Sequence, residues 1–156
     1  MNTYGIIAIH GGKIERGTSE ITKNIARNDI EYFIHSGESG SHVTSDKFQS
    51  PLLDKLLDEC KTIISIHGEH DNEKSFVIVG GLDIELIKKI KKSLKTNNFN
   101  LKENTKTLRG ILSDNVCNKG ITKKGAQLEL SYKLRMELLD DENLMNLFVD
   151  SIRNCL

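Results

Sequence analysis

Short apolar runs of strand length recur along this chain, and the stretches between them carry apolar residues at helical spacing. Residues 4–9 read YGIIAI, 62–66 read TIISI and 75–79 read SFVIV; residues 30–34 and 127–131 continue the series, the last as an alternating QLELS. This alternation predicts an α/β fold, a single open mixed β-sheet flanked by helices. Helix starts fall where such a fold needs them. Gly17, Thr18 and Ser19 offer caps ahead of Ile21, Ile25 and Ala26, and Ser50-Pro51 pairs a capping serine with the chain's one proline at the first helical position. That second helix, carrying Leu52, Leu53, Leu56 and Leu57, is expected to stop near Cys60. Asp83 caps a third, running from Ile84 to about Leu94 with Ile84, Ile87, Ile90 and Leu94 as its apolar stripe and lysines on its solvated face. Residues 132–139 and 142–152 read as helices, the second capped by Asp140 or Asp141. Between the third helix and residue 127 the signal weakens: residues 96–106 are polar with at most one short strand around 99–102, and 115–124 is a glycine-containing loop.

A length of 156 residues suits one domain, 1–156, and one core, hence one site. Twenty-two basic and 22 acidic side chains cancel, which gives no global pull toward nucleic acid or an anionic membrane. No stretch approaches the roughly 18 apolar residues of a membrane span, and the start of the chain has neither a basic segment nor a cleavage site. A soluble protein, cytoplasmic at synthesis, is expected, with later release by lysis left open; a monomer is expected as well. Cys60, Cys117 and Cys155 are odd in number and far apart, which argues against both a disulfide framework and a CxxC zinc site.

The strand assignments put His10 and His67 at the carboxyl ends of two strands, where open α/β sheets bind ligands. Glu15 lies five residues beyond His10, in step with neither a strand nor a helix, yet Gly11 and Gly12 allow a tight turn that folds it back. Two imidazoles and a carboxylate are a catalytic zinc set with one position left for water, whose pKa the metal lowers toward neutrality. Hydrolysis then needs a separate carboxylate to move the proton of that water. Glu129 is the candidate, an acid in a strand that is otherwise core-like. Duller readings stand beside these. A histidine at a strand end is often a hydrogen-bonded structural residue, Glu129 has the option of pairing with a lysine on an edge strand, and the spacing of His67 and His70 would allow those two to ligate a metal in place of Glu15.

Five motifs in order, HGGKIERGTSEI (10–21), HVTS (42–45), SIHG (65–68), VGG followed by Asp83, and NVCNKG with GAQLELS (115–131), resemble the poly-γ-glutamate hydrolase family of bacterial and phage proteins over roughly residues 5–135. The resemblance implies a zinc-dependent hydrolase similar to a small zinc carboxypeptidase core, cutting γ-glutamyl amide bonds of poly-γ-glutamate. It implies His10, Glu15 and His67 as zinc ligands and Glu129 as general acid/base. Through the HVTS motif it makes His42 a further candidate, either donating to substrate or supporting the ligands. Each residue of such a polymer carries a free carboxylate, for which Arg109 and Lys119 are cationic candidates and Asn118 an amide partner. Lys119 stands where the family pattern more usually has arginine, so a point charge replaces a bidentate fork. Another γ-glutamyl amide as substrate, or a non-enzymatic phage binding protein, are the alternatives.

Overall fold

In the computed structural model, which describes residues 2–103 and 110–156, the apolar runs assemble into one five-stranded sheet. Strands β1 (Asn2–Gly12), β2 (Glu31–Gly37), β3 (Cys60–Glu69), β4 (Val77–Gly81) and β5 (Ala126–Ser131) lie in the order β2-β1-β3-β5-β4. Pairing is parallel from β2 through β5, and β4 closes the far edge antiparallel to β5. The sheet is therefore open and mixed, as the runs predict. The helices are α1 (Thr18–Ala26), α2 (Pro51–Glu59), α3 (Ile84–Thr96), α4 (Tyr132–Asp140) and α5 (Glu142–Arg153), with a short 3-10 turn at Val116–Asn118.

Strand alternation sorts the apolar residues into two clusters. Ile6, Ile64, Ile66, Leu128 and Leu130 face the layer of α1, α3, α4 and α5, where Phe148, Ile25, Ile90 and Leu94 are fully covered. Ile7, Ile9 and Ile63 face the other way, against Leu53, Leu56 and Leu57 of α2 and Val116. Each such side chain taken out of water contributes about 1.5–3 kcal/mol, so the sheet is held from both sides.

Several local expectations shift for identifiable reasons. The run at 75–79 enters the sheet only at Val77, because the Phe76 N–H donates to Ser131 Oγ (3.1 Å) and the Ser75 hydroxyl to Glu137 (2.5 Å); Gly80 and Gly81 then continue the strand against Gln127 and Ala126 instead of ending it. The short strand expected at 99–102 reduces to one bridge between Leu101 and Val77. Ser50 occupies the N-cap position of α2 without a capping hydrogen bond, and α1 follows Gly17 in a left-handed conformation, also without one. Ile84 is 56% exposed, and Leu86 takes its place in the buried stripe of α3. Asp83, Ser131 and Asp141 cap α3, α4 and α5 through their side chains.

Candidate metal centre

Three strand ends converge on the α2 side of the sheet, and β1 reaches them by a bulge. Ile7 and Ile9 point toward α2, so unbroken alternation would send His10 to the opposite layer with Ile6. The pairing of β1 with β2 slips between Ala8 and Gly11, and a bulge of this kind re-aims a side chain. His10 thereby meets His67, which lies on β3 two residues beyond Ser65 and on the same face. The loop after β1 is closed by its own backbone. Gly12 sits at φ 67°, a side chain at Gly11 would strike Ser19 and the His35 carbonyl, and the Glu15 N–H donates to His10 O at 2.8 Å. The Ser19 hydroxyl, offered by the sequence as a helix cap, instead accepts from Gly12 N–H (2.9 Å), and Thr18 Oγ1 donates to Glu15 O (2.8 Å). The turn that the two glycines permit is the turn that brings Glu15 back.

At the meeting point, His10 Nδ1 lies 2.5 Å from Glu15 Oε1 and 3.2 Å from His67 Nδ1, and His67 Nδ1 lies 4.0 Å from Glu15 Oε2. The outer nitrogens are both engaged: His10 Nε2 contacts Val43 O at 2.6 Å and His67 Nε2 contacts Ser65 Oγ at 2.7 Å. A carbonyl only accepts, so His10 Nε2 carries hydrogen and the neutral ring has a bare lone pair at Nδ1. That lone pair points at a carboxylate oxygen and a second imidazole nitrogen. Three electron-rich atoms at these distances repel one another unless a positive centre lies among them, either a proton or a metal ion.

Proton affinities follow this geometry. Burial works against protonation of His10, but the hydrogen bond and charge of Glu15 outweigh it and raise its pKa. Burial likewise opposes ionisation of Glu15, and the hydrogen bond and charge of His10 together with the Gly68 N–H overcome it, holding the carboxyl below its ordinary range. Full burial depresses His67 to about 4, so this ring is neutral and a ready ligand. Metal-bound histidines commonly donate their other ring nitrogen to a carbonyl or hydroxyl, which fixes the tautomer. Val43 O and Ser65 Oγ have those positions. The donor set of two imidazole nitrogens and one carboxylate therefore fits a divalent cation of the zinc type, which would replace the proton otherwise held between His10 and Glu15.

His42 is half exposed and stacks on His10, with ring centroids 4.0 Å apart and its Nε2 3.9 Å from Glu15 Oε1. His10, Glu15 and His42 also offer ligand atoms within 4.8 Å of one another. Burial and the neighbouring His10 lower its pKa. These residues line a cleft of about 590 Å³ together with Thr44, Ser45, His70, Gln127 and Glu129. Glu129 is half-buried and stands beside His67 in the β3–β5 register. Its charge acts on His10, so it is near the centre without belonging to the converging donor set.

The remaining expected site residues are placed differently. Asn118 is 1% exposed; its amide donates to Gly110 O and Leu112 O and accepts from Gly125 N–H. This side chain, expected to contact substrate, ties the loop before β5. Lys119 is half-buried beside Asp46 and does not line the cleft. Arg109 lies outside the described residues. His70 borders the cleft although it matches no motif, whereas His35 packs on Phe48, ring centroids 5.2 Å apart. Sequence reasoning missed Ser65, Val43 and Arg135. The hydroxyl of Ser65 in the apolar run TIISI and the arginine on the buried stripe of α4 with Leu134 and Leu138 were the available signals; the Val43 carbonyl had none.

Comparison with known proteins identifies relatives of this chain. The SPbeta prophage-derived UPF0714 protein YoqZ of Bacillus subtilis (strain 168) is 35% identical over 142 residues, covering 86% of this chain and 51% of that protein. UPF0714 protein YmaC of the same organism is 31% identical, over 87% of this chain and 60% of its own length. The chain thus spans little more than half of the curated relatives it matches. Among solved structures, a bacteriophage poly-γ-glutamate hydrolase superposes with a TM-score of 0.92 at 24% identity, covering 99% of this chain and 83% of the other. A zinc-free structure of YndL gives 0.88, also at 24% identity, covering 99% and 84%. At that identity the likeness is one of fold. The family itself is given by the match of residues 1–151 to the model described as poly-gamma-glutamate hydrolase, and to that family this chain belongs.

Proposed function

We propose that this chain is a zinc-dependent hydrolase of γ-glutamyl amide bonds, with poly-γ-glutamate as its substrate. The observation that carries the reading is the approach of His10 Nδ1, His67 Nδ1 and Glu15 around one point, with both outer imidazole nitrogens already hydrogen-bonded. Zinc held by those three side chains would supply a Lewis acid for the scissile carbonyl and a water of lowered pKa. Glu129, across the β3–β5 pair from His67, takes the proton of the attacking water and returns it to the leaving nitrogen. The Glu15 carboxylate, fixed by Gly68 N–H and the loop hydrogen bonds, stays ionised and is not the proton carrier. His42, Thr44, Ser45 and Gln127 border the space a γ-linked chain would enter.

A second reading keeps this chemistry and changes the substrate to a less anionic γ-glutamyl amide, as in a peptidoglycan stem. No lysine or arginine lines the cleft among the described residues, and a polymer with a carboxylate on every residue wants cationic contacts. Incubation of the zinc-loaded protein with poly-γ-glutamate separates the two. A progressive fall in polymer chain length supports the first reading; an unchanged size distribution, with a γ-glutamyl peptide cleaved under the same conditions, replaces it by the second.

A further inference from the structure

Arg135 is 3% exposed, lies in α4 four residues after the Ser131 cap, and does not line the cleft. Each circumstance is unfavourable for a cation. Burial costs solvation, and a positive charge in the first turns of a helix opposes the helix dipole. Among the described residues no carboxylate forms an ion pair with it. Its guanidinium donates instead to three backbone carbonyls: Nη1 to Arg16 O (2.5 Å), Nη2 to Glu69 O (3.0 Å) and Nε to Leu130 O (3.1 Å). Those carbonyls are not scattered. Arg16 follows Glu15, Leu130 follows Glu129, and Glu69 follows the Gly68 whose N–H holds Glu15, two residues beyond His67.

We propose that Arg135 is the positioning residue of the metal centre, a buried fork that locks the β1–α1 loop, the end of β3 and the end of β5 at fixed separation so that Glu15, His67 and Glu129 meet. The proposal rests on the metal-binding reading above. Gly68 makes room for it: a side chain there would run into the guanidinium carbon at 2.5 Å and both terminal nitrogens at 2.7 Å. The packing thus joins two features, a glycine whose N–H faces the carboxylate ligand and whose Cα faces the fork. Lysine at this position would bring the charge but concentrate its donors on one atom, without the planar spread that three separate carbonyls require. The charge of Glu15 also acts on Arg135, offsetting part of the cost of its burial.

Cobalt(II) titration of the metal-free protein tests this, read by d–d absorption and affinity, alongside thermal melting of the metal-free state. Wild type, Arg135→Met, Arg135→Lys and Gly68→Ala are compared. The proposal expects the folded variants to bind cobalt about 10- to 100-fold more weakly, the range for losing the partners that orient metal ligands, with altered d–d bands. Variants that melt earlier yet bind cobalt with wild-type affinity and spectrum would show a merely structural arginine and overturn it. Full recovery in Arg135→Lys would overturn the fork, since charge alone would then suffice. If Arg135→Met does not fold, Arg135→Lys and Gly68→Ala decide on the same readouts. A wild type that takes up no cobalt refutes the metal reading itself, and this inference with it.

Discussion

On the face covered by α1, α3, α4 and α5, the sheet meets an apolar cluster in which Ile64, Ile66, Leu128 and Phe148 are sealed from water. On the face covered by α2, a smaller cluster around Ile7, Ile9 and Leu53 gives way at the carboxyl ends of β1, β3 and β5 to His10, Glu15, His67 and Glu129. The first face is stabilised by burial, which is additive and indifferent to direction. The second is arranged by direction: each buried polar atom has a specified partner, and the three converging donors make sense only around a positive centre. One face sets whether the chain folds, and the other what the folded chain does.

Substitutions should separate these roles. The largest effect is expected from His67→Ala, which removes a ligand: turnover should fall to background, and the zinc-induced stabilisation, about 4 kcal/mol at 1,000 times Kd for wild type, should vanish from the melting curve. Next is Glu129→Gln, expected to lower kcat by about 10² to 10⁴ while zinc content and melting temperature stay at wild-type values. If Glu129→Gln strips the metal and Glu15→Gln does not, the two carboxylates have exchanged roles.

On the opposite face, Phe148→Ala should cost about 3–5 kcal/mol of stability with turnover per folded molecule unchanged; a matching loss of kcat in the folded protein would break the division between the faces. The smallest effect is electrostatic. Burial pushes the Cys60 thiol up to about 11 and Cys117 to about 12. An acid whose folded pKa is raised contributes stability that is present below its unfolded value, about 8.5, and lost as pH rises toward the folded one. Unfolding free energy should therefore decline above about pH 9, at roughly 1.4 kcal/mol per pH unit for each thiol, and melting temperature with it; Cys117→Ala should flatten the slope.

How far the sequence carries such an account depends on the kind of interaction. Strands β1, β3 and β5 and helices α2, α3 and α5 are legible because burial imposes periods of 2 and 3.6 that a single chain displays. The limits appear where a polar group competes for the backbone. Ser131 captures the Phe76 N–H and shortens β4, and Ser19 turns from helix cap to loop clasp. His10, Glu15, His67 and Glu129 could be picked out as residue types near strand ends. Strand ends and the glycine turn already suggest their convergence; its route is not legible, since alternation alone points His10 to the wrong side and only the slip between Ala8 and Gly11 corrects it. The three backbone groups that Asn118 engages are not legible either, because an amide in a polar loop reads the same whatever it faces. Arg135 escaped notice because its partners are carbonyls, which every residue has.

Native mass spectrometry of the protein after exposure to zinc and removal of excess addresses the central claim most directly. A centre built from His10, Glu15 and His67 predicts a mass increase of about one zinc per chain, absent from His10→Ala. A wild-type spectrum dominated by metal-free chain, or a bound zinc that survives His10→Ala, would contradict it.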